Sequence, residues 1–216
     1  MALGDTPLYY ACLSYAAHLL TLRGELEKFR EDAYEDKAIA ALIPRLSGIS
    51  ELPQDDTLAA TVVILRMAEQ FCEIQDDAQR HLVGASSLFA NRRPDEEGSP
   101  DSPAFSLYLR QSIRIAILNE VPCRIGGAWV TDPICLDPAP DYVWVDRVTL
   151  LLARTCSACW DPTLDHLVRM QLLHNLLVEL ERWRESLPES FQPWCNFRRE
   201  NDVFPVVCFI STWHGP

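Results

Sequence analysis

The apolar residues of the chain mostly follow helical spacing, and the pattern is strongest between residues 57 and 90. From residue 57 to 73, the charged and amide residues occupy positions i, i+3, i+4 and i+7 and would form one narrow stripe on a helix: Arg66, Glu69, Gln70 and Glu73. The rest of that helix surface is predominantly apolar. We therefore expect this helix to lie inside the domain, with neighbours on several sides.

A second central helix is predicted from Asp77 to about Ala90, because a carboxylate is favoured at a helix N-terminus. Its apolar residues form a single line: Ala78, Leu82, Ala85 and Phe89. Gly84 lacks a Cβ and would allow another backbone to approach closely. The two helices are predicted to pack together at the centre of the fold.

Helical spacing predicts five further helices, at residues 6–22, 25–46, 104–120, 141–160 and 162–186. Pro44 is expected to end or kink the second of these five. Asp161 and Pro162 are expected to be the N-cap and first residue of the last. In the 25–46 helix the predicted buried face is Leu26, Phe29, Ala33, Ala40 and Ile43. In the 104–120 helix it is Phe105, Leu109, Ile113, Ala116 and Ile117, and in the 141–160 helix it is Val145, Val148, Leu152 and Cys156. The predicted outward residues of the 104–120 helix are Arg110, Gln111 and Arg114.

The last helix carries a repeat with alternating spacings of three and four: Leu173, Leu176, Leu180, Trp183 and Leu187. Such a repeat is typical of a coiled-coil seam, but it covers only about two of the three or four heptads that identify one. Packing inside the domain is therefore the favoured interpretation.

The connections between the helices are rich in proline and polar residues. Residues 121–140 form an irregular connection that also contains apolar residues, and this connection is predicted to pack on the domain as a flap. Residues 203–213 contain a short apolar run that is strand-like by composition and ambiguous by length. The prediction is an all-α fold, a multi-helix array of antiparallel packed helices with irregular Pro-rich connections. The whole of residues 1–216 is predicted to be a single domain.

The net charge of -12 argues against contact of this chain with a nucleic-acid backbone or an anionic membrane. The eight cysteines are far apart, and many fall in apolar helical stretches, which predicts reduced, buried thiols in an intracellular protein. Residues 6–22 lack charges, but we interpret them as a buried helix and expect neither a signal peptide nor a membrane span.

Few residues have the spacing of a chemical site. Cys156 and Cys159 form one C-x-x-C pair, but a zinc site needs four ligands, and neither His166 nor His174 is placed to complete it, so no zinc is expected. Asp77 and His81 lie four residues apart and could form an acid–base pair, although a helix-surface pair is the favoured interpretation. Two further charged pairs, Glu96–Glu97 and Arg198–Arg199, are interpreted as solvated loop charges. The sequence predicts no catalytic, cofactor-binding, metal-binding or DNA-binding residue, and no enzyme.

Four segments together resemble the fungal-specific transcription factor domain. They are the 58–89 helix pair with Gln79-Arg80-His81-Leu82-Val83-Gly84-Ala85, the aromatic-x-x-R-Q-type helix from Phe105, the E-x-W-x-x-x-L-P-x-S-F-x-P segment from Glu181, and Phe204-Pro205 with Trp213-His214. At Cys208 the family pattern usually has tryptophan. The chain also lacks the two cysteine triplets of the Zn2Cys6 cluster that accompanies such domains.

The resemblance implies a nuclear transcription-regulation domain that acts through protein partners and has no DNA-binding module of its own. Family domains generally continue beyond the Trp-His piece, so the resemblance implies that this one is incomplete at its C-terminal end. Apolar surface near residues 203–213 would then be exposed, and self-association is possible.

The alternative function is a ligand-sensing module that binds a small apolar effector. Its candidate pocket walls include four tryptophans, Trp129, Trp144, Trp160 and Trp183. An enzyme with an unrecognised site is a third, disfavoured interpretation, because no catalytic motif is present.

Overall fold

The computed structural model describes residues 6–47, 56–70, 80–89, 103–123, 125–126, 132–198 and 203–209. Within these residues lie seven α-helices: α1 Thr6–Leu22, α2 Lys28–Ser47, α3 Asp56–Glu69, α4 Arg80–Phe89, α5 Pro103–Asn119, α6 Asp141–Trp160 and α7 His166–Glu185. A 3-10 turn, Glu189–Phe191, and two short antiparallel strands follow, β1 Cys195–Phe197 and β2 Val206–Cys208. The prediction of an all-α, multi-helix fold is confirmed.

The chain divides into two compact units. Unit 1 comprises residues 1–115 and 124–131, and unit 2 comprises residues 116–123 and 132–216, so the boundary falls inside α5. Both units belong to the stretch for which we predict one regulatory domain, and that assignment stays a prediction.

Unit 1 is built around α3, as the pattern of apolar residues predicts. Helix α1 packs against α2 and α3, and α3 packs against α4. The almost fully buried apolar side chains of α3 are Leu58, Ala59, Val62, Val63 and Leu65. At the end of α1, Gly24 takes a φ of 73°, and the amide of Glu25 donates to the Leu20 carbonyl at 2.9 Å. This left-handed cap is available to glycine at little cost, and it turns the chain into α2.

An aromatic cluster joins α4 to α5. Phe89 stacks on Tyr108 with ring centroids 4.7 Å apart and meets the edge of Phe105 at 5.5 Å. Leu82 and Ala85 are buried on the same helix, which confirms this part of the predicted apolar line. Ala78 lies outside the described residues. The predicted role of Gly84 is wrong, since a Cβ there would meet no atom within 4 Å.

The predicted buried face of α2 is wrong. Phe29 is 64% exposed and Ile43 54%, and Ala33 and Ala40 are exposed as well. The buried residues of this helix are instead Glu31, Ala38 and Leu42. The reason is a contact with α1: the His18 Nδ1 lies 2.5 Å from the Glu31 Oε1, and both side chains are buried. Pro44 does not end the helix, which continues to Ser47.

Helix α5 buries one residue that was predicted to face outward. The Gln111 side-chain amide donates to the Val63 carbonyl of α3 at 3.1 Å, which accounts for its burial. Arg110 is exposed as predicted, and Arg114 is half-buried. The predicted burial of Phe105, Leu109, Ile113 and Ala116 is confirmed, whereas Ile117 is 48% exposed.

In unit 2, α6 and α7 form an antiparallel pair. The predicted bounds of α6 are confirmed, but α7 begins at His166, with Asp165 as its N-cap, so the predicted cap at Asp161 is wrong. Asp161 instead accepts hydrogen bonds at 2.8 and 2.6 Å from the Thr163 amide and hydroxyl, which closes a local turn before the helix. No residue of α7 is fully buried, and Leu167 is 75% exposed. Three residues of its leucine repeat, Leu173, Leu176 and Leu180, lie next to α6, and the interpretation of the repeat as packing inside the domain stays a prediction.

The strand-like segment near residue 203 forms the second strand of a small hairpin, with Cys195 opposite Cys208 and Phe197 opposite Val206. Val203 and Phe204 before it are strongly exposed, in line with the apolar surface expected there. Burial of the thiols is confirmed for Cys123 and Cys156 but wrong for Cys135 and Cys159, which are exposed. Cys72 lies outside the described residues. Across the part of the chain that the structure describes, no helix is long and apolar enough to span a membrane.

Candidate functional site

An apolar groove of about 580 Å3 lies between α6 and α7 in unit 2. Helix α6 contributes Val148, Thr149, Leu151, Leu152 and Thr155, and helix α7 contributes Leu173, Leu176, Leu177 and Leu180. Three residues of the α7 leucine repeat therefore line the groove. Leu152, which was predicted to be core, and Leu177 are each about half exposed and leave the groove open to solvent.

The two hydroxyl groups in the lining do not make the groove polar. The Thr149 hydroxyl donates to the Val145 carbonyl at 2.8 Å, and the Thr155 hydroxyl donates to the Leu151 carbonyl at 2.8 Å. Both hydrogen bonds stay within α6. Since every other lining side chain is aliphatic, the groove offers dispersion contacts and burial of apolar surface to a ligand.

Polar contacts between the two helices hold the groove in shape. The Trp183 Nε1 donates to the Trp144 carbonyl at 3.0 Å, which joins the end of α7 to the start of α6. Arg154 is buried and donates to the Asp132 carbonyl at 2.5 Å and to the Glu179 carboxylate at 3.4 Å. Burial lowers the pKa of Arg154, and the attraction of Glu179 and Asp132 offsets part of that effect.

Of the tryptophans that were proposed as pocket walls, Trp144, Trp160 and Trp183 do not line this groove. Trp144 is buried, and its Nε1 donates to the Ala139 carbonyl at 3.2 Å, so it supports the start of α6. The indole of Trp183 donates its hydrogen bond to the Trp144 carbonyl, as described above. Trp160 is half-buried at the end of α6. Trp129 lies outside the described residues.

Unit 1 contains a separate buried polar network that links α3 to α4. The Arg66 Nη1 lies 3.0 Å from the Glu69 Oε2, with the Arg66 side chain 0% exposed. The backbone amide of His81 donates to the same oxygen at 3.3 Å, and its Nδ1 lies 3.5 Å away. The partner of His81 seen here is thus Glu69, while the predicted partner, Asp77, lies outside the described residues.

The network fixes the ionisation of Glu69. Desolvation by burial raises the pKa of this carboxyl group, but the hydrogen bonds and charges of His81 and Arg66 together outweigh it and lower the pKa to about 2. A carboxylate held this strongly stays ionised at neutral pH and is a poor proton donor or acceptor there. Its role is to join α3 and α4. His81, which belongs to the motif that carries the family resemblance, supplies part of this connection.

Among the residues that the structure describes, the other candidates for chemistry do not converge on one site. Cys156 is buried in α6, Cys159 is exposed, and His166 and His174 are both exposed on α7. In the described ranges, no three or more His, Cys, Asp or Glu side chains are grouped as they would be around a metal ion. Arg198 is exposed, whereas Arg199, Glu96 and Glu97 lie outside those ranges.

The groove could have been found in the sequence from one signal. Helix α7 repeats leucine at spacings of three and four, and Leu172 and Leu177 also fall outside that repeat. When a helix has more leucines than a single buried stripe can hold, the remaining leucines are exposed to solvent or are covered by a ligand.

Comparison with known proteins identifies the family. The family model described as the fungal specific transcription factor domain matches residues 1–200. No curated protein and no solved structure matches the chain. The matched stretch includes both the Glu69–His81 network and the groove, and the family is one of transcription factors, not of enzymes. The chain therefore belongs to the fungal specific transcription factor domain family.

Proposed function

We propose that this chain is a nuclear regulatory domain of a transcription factor that acts through a protein partner and does not contact DNA itself. The family match over residues 1–200 carries the proposal. The net charge of -12 supports the proposal that the chain does not contact DNA, because a phosphate backbone repels an acidic chain. The partner is a component of the transcription machinery or another regulator.

The arginines that could form a basic face support the same conclusion. The candidates for such a face are Arg80, Arg110, Arg114 and Arg169. Arg110 and Arg114 belong to α5 in unit 1, whereas Arg169 in unit 2 donates to the Asp161 carbonyl at 2.8 Å. A protein that contacts many phosphates needs clustered Lys and Arg, and only two of the 216 residues are lysine.

The first prediction is that this chain alone does not bind duplex DNA measurably at physiological salt. Fluorescence anisotropy with random and GC-rich duplexes, at about 50 and 150 mM salt, measures this, since a protein that contacts six to ten phosphates loses orders of magnitude in affinity over that range. The control is the same chain fused to a heterologous DNA-binding domain, which should bind. Saturable binding by the unfused chain, with a steep salt dependence, would contradict the proposal.

A second candidate function is the sensing of a small apolar effector, and the groove between α6 and α7 favours it. Its volume of about 580 Å3 lies inside the range of ligand pockets, about 300–1,000 Å3. Its hydroxyl groups are already hydrogen-bonded within α6, so an apolar ligand would leave no buried polar group unsatisfied.

The second prediction tests the groove with a neutral fluorescent probe, N-phenyl-1-naphthylamine. The wild-type chain should bind it at one saturable site, and Leu176→Trp should weaken binding at least tenfold, because the larger side chain fills the groove. Leu167→Trp is the matched control, being the same substitution on the same helix at a residue outside the groove lining. Equal loss of binding in both variants, or no saturable binding in the wild type, would show that the groove is not a ligand site.

A further inference from the structure

Two cysteines face each other across the small hairpin of unit 2. Cys195 at the start of β1 pairs directly with Cys208 at the end of β2, in antiparallel register. Both residues are half-buried, so each can be reached from solvent. Phe197 and Val206 form the next pair on the same face of the hairpin, because side chains alternate between faces along a strand.

The register satisfies the geometry of a disulfide. Residues directly opposite on antiparallel strands have Cα atoms about 4.5–5.5 Å apart, and disulfides join cysteines whose Cα atoms are about 4.4–6.8 Å apart. The two thiols are also close enough to hydrogen-bond to each other. A disulfide between the two cysteines therefore needs only a small movement of the backbone, within the ordinary flexibility of a hairpin.

The ionisation of the pair follows from this contact. Partial desolvation, the charge of a Cys208 thiolate and the hydrogen bond with Cys208 all raise the pKa of Cys195. The Cys195 thiol therefore holds its proton more strongly than an ordinary cysteine thiol does. The register places one thiol directly opposite the other, where it can resolve the sulfur that is oxidised first.

The remaining cysteines of the described chain are less suited to such a reaction. Cys156 is buried, and desolvation together with the charge of Cys159 raises its pKa, so its reactive thiolate is scarce. Cys135 is exposed, and its thiol accepts a hydrogen bond from the Asp137 amide at 3.4 Å. It belongs to the irregular segment before α6 and has no register partner.

We propose that Cys195 and Cys208 form a reversible disulfide when the protein meets a peroxide. The Cys208 thiolate attacks one peroxide oxygen, the O–O bond breaks, and the sulfur becomes a sulfenic acid while hydroxide leaves. The Cys195 sulfur then attacks the sulfenic sulfur, the S–S bond forms, and water leaves with the Cys195 proton. The two sulfurs together lose two electrons, which the peroxide gains, and a thiol reductant returns the disulfide to two thiols while it is itself oxidised to a disulfide.

The disulfide would hold the two strands together where they carry exposed apolar side chains. Phe197 is 44% exposed, and Val206 and Val207 are similarly exposed. Oxidation would therefore fix the register of the two strands that carry these apolar side chains, and reduction would remove that constraint. The hairpin becomes a redox-sensitive modification site in unit 2, separate from the groove.

The test begins with the full chain, reduced and then treated with hydrogen peroxide. Free thiols are alkylated, and the peptides are mapped by mass spectrometry without reduction. We expect a Cys195–Cys208 crosslink as the first disulfide to form, lost in Cys208→Ser and in Cys195→Ser, and unchanged in the matched control Cys135→Ser. Far-UV circular dichroism of each variant checks that the helices are retained.

Three outcomes would overturn the proposal. They are a Cys156–Cys159 crosslink that forms before the hairpin crosslink, disulfides only between separate copies of the chain, and full alkylation of Cys195 and Cys208 after Cys135 has been oxidised. Trypsin adds a second readout, because Arg198 lies between the two cysteines. In the oxidised protein, the fragment released by cleavage there should stay attached until a thiol reductant is added.

Discussion

Replacing Glu69 with glutamine is expected to lower the free energy of unfolding of unit 1 by about 3 kcal/mol at neutral pH. The carboxylate of Glu69 neutralises Arg66, which is fully buried, and accepts the backbone amide of His81. Removing its charge takes a counter-charge away from a buried guanidinium, and the loss of one partner from a buried ion pair is among the few changes that destabilise a protein by several kcal/mol. Urea unfolding followed by far-UV circular dichroism measures the difference.

The same substitution should change the pH dependence of stability. The pKa of Glu69 is about 2 in the folded chain against an ordinary value of 4.5, so the folded state binds its proton less readily than the unfolded state does. The stability that this carboxylate contributes is therefore present above about pH 4.5 and is lost as the pH falls towards 2. The difference between wild type and Glu69→Gln should be about 3 kcal/mol at pH 7 and should shrink towards zero near pH 2.

The matched control is Glu181→Gln, which makes the same chemical change at an exposed position of α7. Surface substitutions of this kind usually change stability by less than about 0.5 kcal/mol. If the two variants are equally stable, or if the difference from wild type does not depend on pH, the Arg66–Glu69–His81 network does not hold α3 to α4.

The helices of this fold are predictable from sequence because their signals are local. Apolar spacing marks α3 as an interior helix, and glycine and proline mark the ends of several others. The bounds of α6 agree with the structure residue by residue, and those of α1 agree to within one residue. The start of α7 does not, because Asp161 can satisfy a turn as readily as a helix N-terminus, and both uses employ the same carboxylate.

The buried faces are less predictable, because polar partners on other helices decide them. Glu31 turns inward only because His18 on α1 supplies its partner. Gln111 turns inward because the Val63 carbonyl of α3 accepts its amide proton. Both interactions join residues more than a dozen positions apart, and a rule based on hydrophobicity alone assigns these side chains to solvent.

The groove and the hairpin depend on tertiary pairing as well. The spacing of Leu173, Leu176 and Leu180 identifies an apolar stripe but does not say whether a neighbouring helix, a ligand or solvent meets it. The register of Cys195 with Cys208 follows from strand pairing across a loop, which neither short strand encodes by itself. The family could nevertheless be recognised, because its motifs are themselves local, and His81 within one of them proves to be part of the buried network.

A tethered reporter gives the largest functional effect we expect. The full chain is fused to a heterologous DNA-binding domain and expressed in a fungal strain that carries the matching reporter gene. If the chain regulates transcription through a protein partner, recruiting it to the promoter should change reporter transcription several-fold relative to the DNA-binding domain alone. The Glu69→Gln fusion should give a smaller change, because unit 1 is destabilised, and the Glu181→Gln fusion should retain the full change.

The reporter transcript, measured at equal nuclear abundance of each fusion, tests the central claim most directly. The account predicts a several-fold change with the wild-type and Glu181→Gln fusions and a smaller change with Glu69→Gln. A folded wild-type fusion that reaches the nucleus, occupies the promoter and leaves the transcript at the level of the DNA-binding domain alone would contradict it.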